Sequence, residues 1–306
     1  KTLEATAAAR GDYDTAKWAK ARAKTIAEED VLSFLSRKAA IPKYGFPVDV
    51  VELDTQRTQQ GKDAFEVLLQ RDLSIAISEF APTSKLVANK KVWTSYGLKR
   101  VAEKEWERWW YARCATHNRF ERKPYRKETQ APPFENWCEP VAKVFQYIEP
   151  KFGFVTSKDG PDEPKTRPAR AFTTRPYFAG FKDREGGKID FGDVSLTPVS
   201  PGKLVVLCEG RAGKGFYVCE QCGAGFRARK KAHKTPYGQD CHGKLDQVSL
   251  GHEFVTDVLQ LQFHPRFEGD IEPGWFAYSL AYALVEGAAE RLEVPSVDLS
   301  ATVAYG

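Results

Sequence analysis

Four of the six cysteines in this sequence lie between positions 208 and 241, and two of them have the spacing of a metal-binding knuckle. Cys219 and Cys222 are separated by two residues and followed by Gly223. In this C-x-x-C-G pattern two thiolates bind one ion, and the glycine permits the tight turn between them. Because a knuckle supplies only half of a tetrahedral site, the local fold has to bring further ligands to it.

The remaining ligands have to come from the neighbouring cysteines and histidines, which are Cys208, His233, Cys241 and His242. We favour the third and fourth ligands at the two ends of the run 233–241, because Pro236 and Gly238 can fold that run back on itself. Cys208 and His242 remain alternatives for the fourth ligand. Four protein ligands leave no position for water, so we expect a structural Zn²⁺ ion. The predicted ligand set is Cys219, Cys222, His233 and Cys241.

A second, weaker group of possible metal ligands lies in the middle of the chain and comprises Cys114, His117 and Cys138. It has three members and no clear fourth. Isolated core cysteines are the alternative interpretation.

The charge of the whole chain permits nucleic-acid binding without requiring it, because 46 basic residues are balanced by 41 acidic ones. The prediction of nucleic-acid binding therefore depends on local clusters of basic residues. The metal loop and the preceding glycine-rich turn contain many cations, and contacts from them to phosphates would be sensitive to salt. A solvated charged loop is the alternative. The predicted DNA-binding residues are Arg211, Lys214, Arg227, Arg229, Lys230 and Lys231.

Hydrophobic periodicity predicts an α+β fold of several modules. We expect a small β-rich module, a zinc-ribbon-like hairpin and a C-terminal strand and helix, in three regions: 1–100, 101–200 and 201–306. Expected helices cover 1–38, 101–111 and 276–292, and the second of these carries Trp106, Trp109 and Trp110. Expected strands cover 48–53, 74–77, 86–93 and 254–263, and segments 204–208 and 216–219 are expected to pair as a hairpin.

The sequence contains none of the usual motifs of an ATPase motor or of a zinc peptidase. A metal-dependent nuclease would need clustered carboxylates around an open site. His252, Glu253 and Asp257 are close in sequence, but neighbours in a strand point to opposite faces. No apolar run approaches the length of a membrane helix, and the uneven cysteine spacing suits a reducing compartment, so we expect a cytoplasmic protein without a membrane partner.

Several segments resemble the region after the motor in bacterial superfamily 2 DEAD/DEAH-type helicases. They are 41–51, 71–82, 152–156, 215–223 and, most specifically, LGHEFVTDVL at 250–259. The region concerned is an uncharacterised C-terminal domain, which mitomycin-repair-type helicases share with the DrmB-like subunit of the DISARM phage-defence system. The similarity runs through most of 31–303.

The resemblance implies a machine that moves along or remodels DNA, in DNA repair or antiviral defence. Its ATP-binding motor would lie outside this sequence, either in the same chain or in a partner subunit. We therefore expect a zinc-stabilised accessory region that contacts DNA and docks on the motor. The alternative is a non-enzymatic DrmB-like scaffold subunit that binds a separate helicase. The sequence stops just after a strand-like segment, and we expect it to be part of a longer protein.

Overall fold

The computed structural model describes residues 49–57, 64, 66–114, 119–127, 130–134, 143–164, 166, 168–181, 187–263 and 273–303, with residues 6, 9, 10, 15 and 16. The chain divides into two compact units, Lys1–Val50 and Val51–Gly306. In the first unit, residues 6, 9, 15 and 16 are helical, which agrees with the helix expected over 1–38.

The described elements are mostly strands. The first nine elements are β1 (Val50–Asp54), β2 (Gln70–Asp72), α1 (Leu73–Glu79), β3 (Lys85–Ala88), β4 (Lys91–Leu98), β5 (Glu107–Arg113), β6 (Phe120–Pro124), β7 (Val144–Glu149) and β8 (Phe154–Thr156). They are followed by β9 (Arg175–Phe181), β10 (Ile189–Asp190), β11 (Val194–Cys208), β12 (Phe216–Cys219), β13 (Gly225–Phe226), β14 (His233–Lys234), β15 (Asp240–Cys241), β16 (Leu245–Phe263) and α2 (Pro273–Leu292).

These strands form three sheets. A five-stranded sheet has the order β2-β1-β8-β4-β3, and β14 pairs with β15 alone. A nine-stranded sheet runs β10-β11-β16-β7-β5-β6, with β9 on β11, β12 on β16 and β13 on β12. Together with α1 and α2, this arrangement confirms the α+β fold class. The division into the regions 1–100, 101–200 and 201–306 stays a prediction.

Helix α1 lies in the main hydrophobic core, where it replaces the strand that we expected over 74–77. Its Leu73, Ala76 and Ile77 are buried with residues of both large sheets, such as Phe154 and Val218. The side chain of Asp72 caps the helix by accepting from the backbone N–H of Ser74 at 2.9 Å. The strand prediction was wrong because this cap and the helical spacing of the apolar residues outweigh the local β propensity.

The tryptophan-rich segment forms strand β5, so the helix predicted over 101–111 was wrong. In the ladder with β7, Trp109 lies opposite Tyr147 and Tyr111 lies opposite Phe145. The Tyr111 and Phe145 rings are stacked with their centroids 5.6 Å apart. Cross-strand aromatic pairs of this kind stabilise a sheet, and this pairing outweighs the local helical pattern.

The segments 204–208 and 216–219 do not form the hairpin that we expected, because both pair with the long strand β16. Cys208 lies opposite Leu250, and Phe216 lies opposite Val248. The turn between them therefore places β11 and β12 end to end along one side of β16. The strand predicted over 254–263 and the helix predicted over 276–292 are confirmed as parts of β16 and α2. Among the described residues, no helix is long and apolar enough to cross a membrane.

Candidate metal centre

The four predicted zinc ligands lie together, with all their ligand atoms within 4.8 Å of one another. The Sγ atoms of Cys219 and Cys241 are 3.8 Å apart, and Sγ of Cys222 is 3.4 Å from Nε2 of His233. Tetrahedral coordination with Zn–S bonds of about 2.3 Å and Zn–N bonds of about 2.0 Å requires S–S and S–N separations of about 3.8 and 3.5 Å. The Cys₃His set therefore fits zinc in both chemistry and spacing.

The knuckle begins where β12 ends at Cys219. The Gly223 N–H donates to the Cys219 carbonyl, and the Cys219 N–H donates to the Ala224 carbonyl, each at 2.9 Å. This turn needs Gly223 because its φ is +82°, and a Cβ there would lie 2.1 Å from the Leu98 carbonyl oxygen. The Leu98 N–H in turn donates to the Gly223 carbonyl. The knuckle is thus fixed against the edge of β4.

The other two ligands come from the short hairpin β14–β15, in which His233 and Cys241 are directly opposite each other. The hairpin closes through Thr235, whose N–H donates to the Gln239 carbonyl at 2.7 Å and whose carbonyl accepts from Gly238 at 2.9 Å. Gly238 has a φ of +87°. This confirms that the run 233–241 folds back so that its two ends meet.

Burial favours the protonation state of the histidine that a metal needs. It lowers the pKa of His233, and the nearby His242 and Lys230 act in the same direction. A neutral imidazole has a free lone pair for a metal ion. Burial and the neighbouring Cys219 raise the pKa of Cys222, which disfavours its thiolate form. A cation between these sulfurs would stabilise the thiolates and offset this effect.

The two alternative ligands lie outside the set. Cys208 belongs to the main hydrophobic core with residues such as Phe216, and burial raises the pKa of its thiol to about 11. His242 is exposed beside Cys241 and does not belong to the group of converging ligand atoms.

Several residues that support the centre carry no sequence signal that we recognised. The Gln56 side chain is buried and donates to the carbonyls of Thr156 and Pro236, at 2.6 and 3.1 Å, so it holds the tip of the β14–β15 hairpin. The Gly243 N–H lies 3.4 Å from Sγ of Cys241. The Arg108 side chain is 8% exposed and pairs with Glu220 of the knuckle at 2.9 Å. Of these residues, only Gly243 could have been predicted from the sequence to support the centre, because it follows Cys241 by two residues.

The predicted DNA-binding cations fall into two groups. Arg227, Arg229, Lys230 and Lys231 are exposed on the metal loop. Arg227 Nε donates to Thr83 Oγ1 at 2.6 Å, and Lys230 lies 4.3 Å from the Phe226 ring centroid. Arg211 and Lys214 are exposed before β12, whereas the knuckle follows it. A four-residue strand, about 13 Å long, therefore separates the two groups.

Two of the three residues considered for a nuclease site, His252 and Glu253, take part in polar contacts within the sheet. His252 is buried with its Nδ1 2.7 Å from Oε1 of Glu149, and Glu253 forms an ion pair with Arg122. In the part of the chain that the structure describes, the Cys₃His set is the only cluster of three or more potential metal ligands. For the second predicted group, His117 and Cys138 lie outside the described residues, and Cys114 is half-buried.

Comparison with known proteins gives one distant relative of interest. The chain is 28% identical over 278 residues to Druantia protein DruE from Escherichia coli (strain UMEA 4076-1), and the match covers 78% of this chain. The chain spans about 14% of the length of that relative. No family model matches the sequence. No solved structure matches the fold.

Proposed function

We propose that this chain is a zinc-stabilised accessory region of a helicase-like defence protein, and that its metal loop contacts DNA. The observation that carries the proposal is the convergence of four zinc-type ligand atoms at the base of a loop with four exposed cations. A bound zinc ion would crosslink the knuckle to the β14–β15 hairpin and contribute its binding energy to folding.

The loop is well suited to contact phosphates because it is basic and also held in place. The Arg227 guanidinium lies 5.0 Å from the Phe172 ring centroid, in addition to its bond to Thr83. Fixing one end of the loop reduces the entropy that its other cations lose on binding. Arg229 and Lys231 are exposed, and they are the cations that we assign to phosphate contacts.

The biological setting is supported by two sequence similarities. Similarity to Druantia protein DruE supports a defence-related, helicase-like group. The sequence resemblance to helicase C-terminal domains and to a DISARM subunit points in the same direction. Because the chain spans a small part of that relative, we propose that it works with an ATP-driven motor located elsewhere.

The DNA contact is tested by fluorescence anisotropy with a labelled duplex across a series of salt concentrations. We expect Arg229→Ala/Lys231→Ala to weaken binding and to reduce the slope of log Kd against log salt by about 2. The control is Lys85→Ala/Lys104→Ala, which removes the same charge from exposed lysines that do not belong to the metal loop. Absence of duplex binding by the unmodified chain at low salt, or equal losses in both variants, would refute the proposed contact.

A further inference from the structure

Strand β16 pairs with β7 over only two residues, and a cleft opens where the two strands diverge. Ser249 and Leu250 pair with β7 in parallel, whereas residues 245–248 pair with β12. Parallel pairing with β7 therefore stops at Tyr147, and the preceding residues of β7 diverge from β16. The resulting cleft has a volume of about 410 Å³, within the range of roughly 300–1,000 Å³ for small-ligand sites.

The chemistry of this cleft suits an anion with a flat apolar part. Lys143 and Lys214 line it and are both exposed, and no Asp or Glu lines it among the residues that the structure describes. Trp110 lines it with an aromatic side chain, and the amide of Gln247 adds a hydrogen-bonding group. Aromatic faces stack on nucleobases, and lysines bind phosphates.

The backbone that carries Lys214 is fixed by its surroundings. Gln247 Nε2 donates to the Lys214 carbonyl at 2.7 Å, and the Gly215 N–H donates to the Glu209 carbonyl at 2.7 Å. The Glu209 carboxylate accepts from Arg113 Nε at 2.6 Å and from the Tyr111 hydroxyl at 2.9 Å. The lysine thus extends from a preorganised turn, which lowers the cost of ordering it on a ligand.

We propose that this cleft between β7 and β16 binds one nucleotide unit of single-stranded nucleic acid. The phosphate lies between Lys143 and Lys214, and the base packs against Trp110. The cleft is concave and its volume is large enough for one nucleotide unit, in contrast to the exposed metal loop at the other end of β12. The inference deepens the proposed function and rests on its link to a DNA motor, since the cleft would receive a strand that the motor has separated.

The test measures binding of a labelled single-stranded oligonucleotide and of a duplex to the 306-residue chain and its variants. We expect Lys143→Ala/Lys214→Ala to weaken single-strand binding about tenfold and to reduce its salt slope by about 0.7, the value for one phosphate on a single strand. Duplex binding should change less than twofold. A 2-aminopurine in the oligonucleotide should be quenched on binding, and Trp110→Leu should reduce that quenching while preserving the fold by circular dichroism.

The outcomes separate the two proposals. Single-strand binding equal in Lys143→Ala/Lys214→Ala and in the control Lys85→Ala/Lys104→Ala would overturn the cleft assignment. It would leave the loop contact intact if Arg229→Ala/Lys231→Ala still impairs duplex binding. If Lys143→Ala/Lys214→Ala impairs single-strand binding and Arg229→Ala/Lys231→Ala does not impair duplex binding, the cleft is supported and the loop contact is refuted. Inorganic phosphate at constant ionic strength should not displace the oligonucleotide, and displacement by phosphate but not by sulfate would identify a free-phosphate site and overturn the strand assignment.

Discussion

Gly243 lies so close to Cys219 that a Cβ added to it would be 2.6 Å from the cysteine sulfur. The same Cβ would lie 2.9 Å from Cβ of Gln221 in the knuckle. Its backbone N–H is directed at the sulfur of Cys241. The chain after the second ligand pair therefore passes against the first pair, and only a residue without a side chain fits between them.

Substitution Gly243→Ala should weaken the metal centre. The added methyl group has to displace Cys219 or the knuckle, and overpacking of this kind costs about 1 to 3 kcal/mol. We expect a lower free energy of unfolding in urea and faster zinc transfer to a chromogenic chelator. The matched control is Gly187→Ala, where a Cβ meets nothing within 4 Å. Equal stability of both variants would show that Gly243 does not constrain the site.

Arg108 connects the knuckle to the nine-stranded sheet, and its substitution should lower the stability of the protein. Its guanidinium pairs with Glu220 at 2.9 Å and with Asp246 at 3.2 Å, and its side chain is nearly buried. Arg108→Leu would leave Asp246 without this partner, at a cost of about 2 kcal/mol. Thermal unfolding followed by circular dichroism should show the loss. Lys127→Ala, which removes an exposed ion pair with Glu105, should leave the melting temperature unchanged. A larger drop in melting temperature for Lys127→Ala than for Arg108→Leu would contradict this account.

Metal removal should change the reactivity of three thiols and spare a fourth. Chelation with EDTA should release Cys219, Cys222 and Cys241 to react with Ellman's reagent. Cys208 should stay slow at pH 8, because burial raises the pKa of its thiol to about 11 and keeps it protonated. Mass spectrometry of alkylated peptides identifies the modified positions. Rapid labelling of Cys208 upon chelation, with no change at the other three, would place the metal elsewhere.

The convergence of the four candidate ligands could be predicted because they are local and chemically distinctive. The spacing of Cys219 and Cys222 indicates the first pair of ligands. Pro236 and Gly238, between His233 and Cys241, indicate the turn that brings the second pair together. The final helix and the end of β16 were likewise predicted from periodicity over long segments.

Two of the errors share one physical cause, which is that pairing with a distant strand outweighed the local sequence pattern. The Trp109 segment is a strand because β7 supplies aromatic partners from about 40 residues away in sequence. Phe216 pairs with β16 and not with β11, a choice that no local turn signal encodes. Gln56 reaches Pro236 across 180 residues, so its support of the metal hairpin emerges only in the fold.

Zinc content is the most direct test of the central claim that a metal ion holds the basic loop in place. Inductively coupled plasma mass spectrometry of the purified chain should find about one equivalent of zinc, retained in Cys208→Ala and lost in Cys219→Ser together with solubility. A folded, metal-free wild-type chain, or a Cys219→Ser variant that keeps its zinc, would contradict the account.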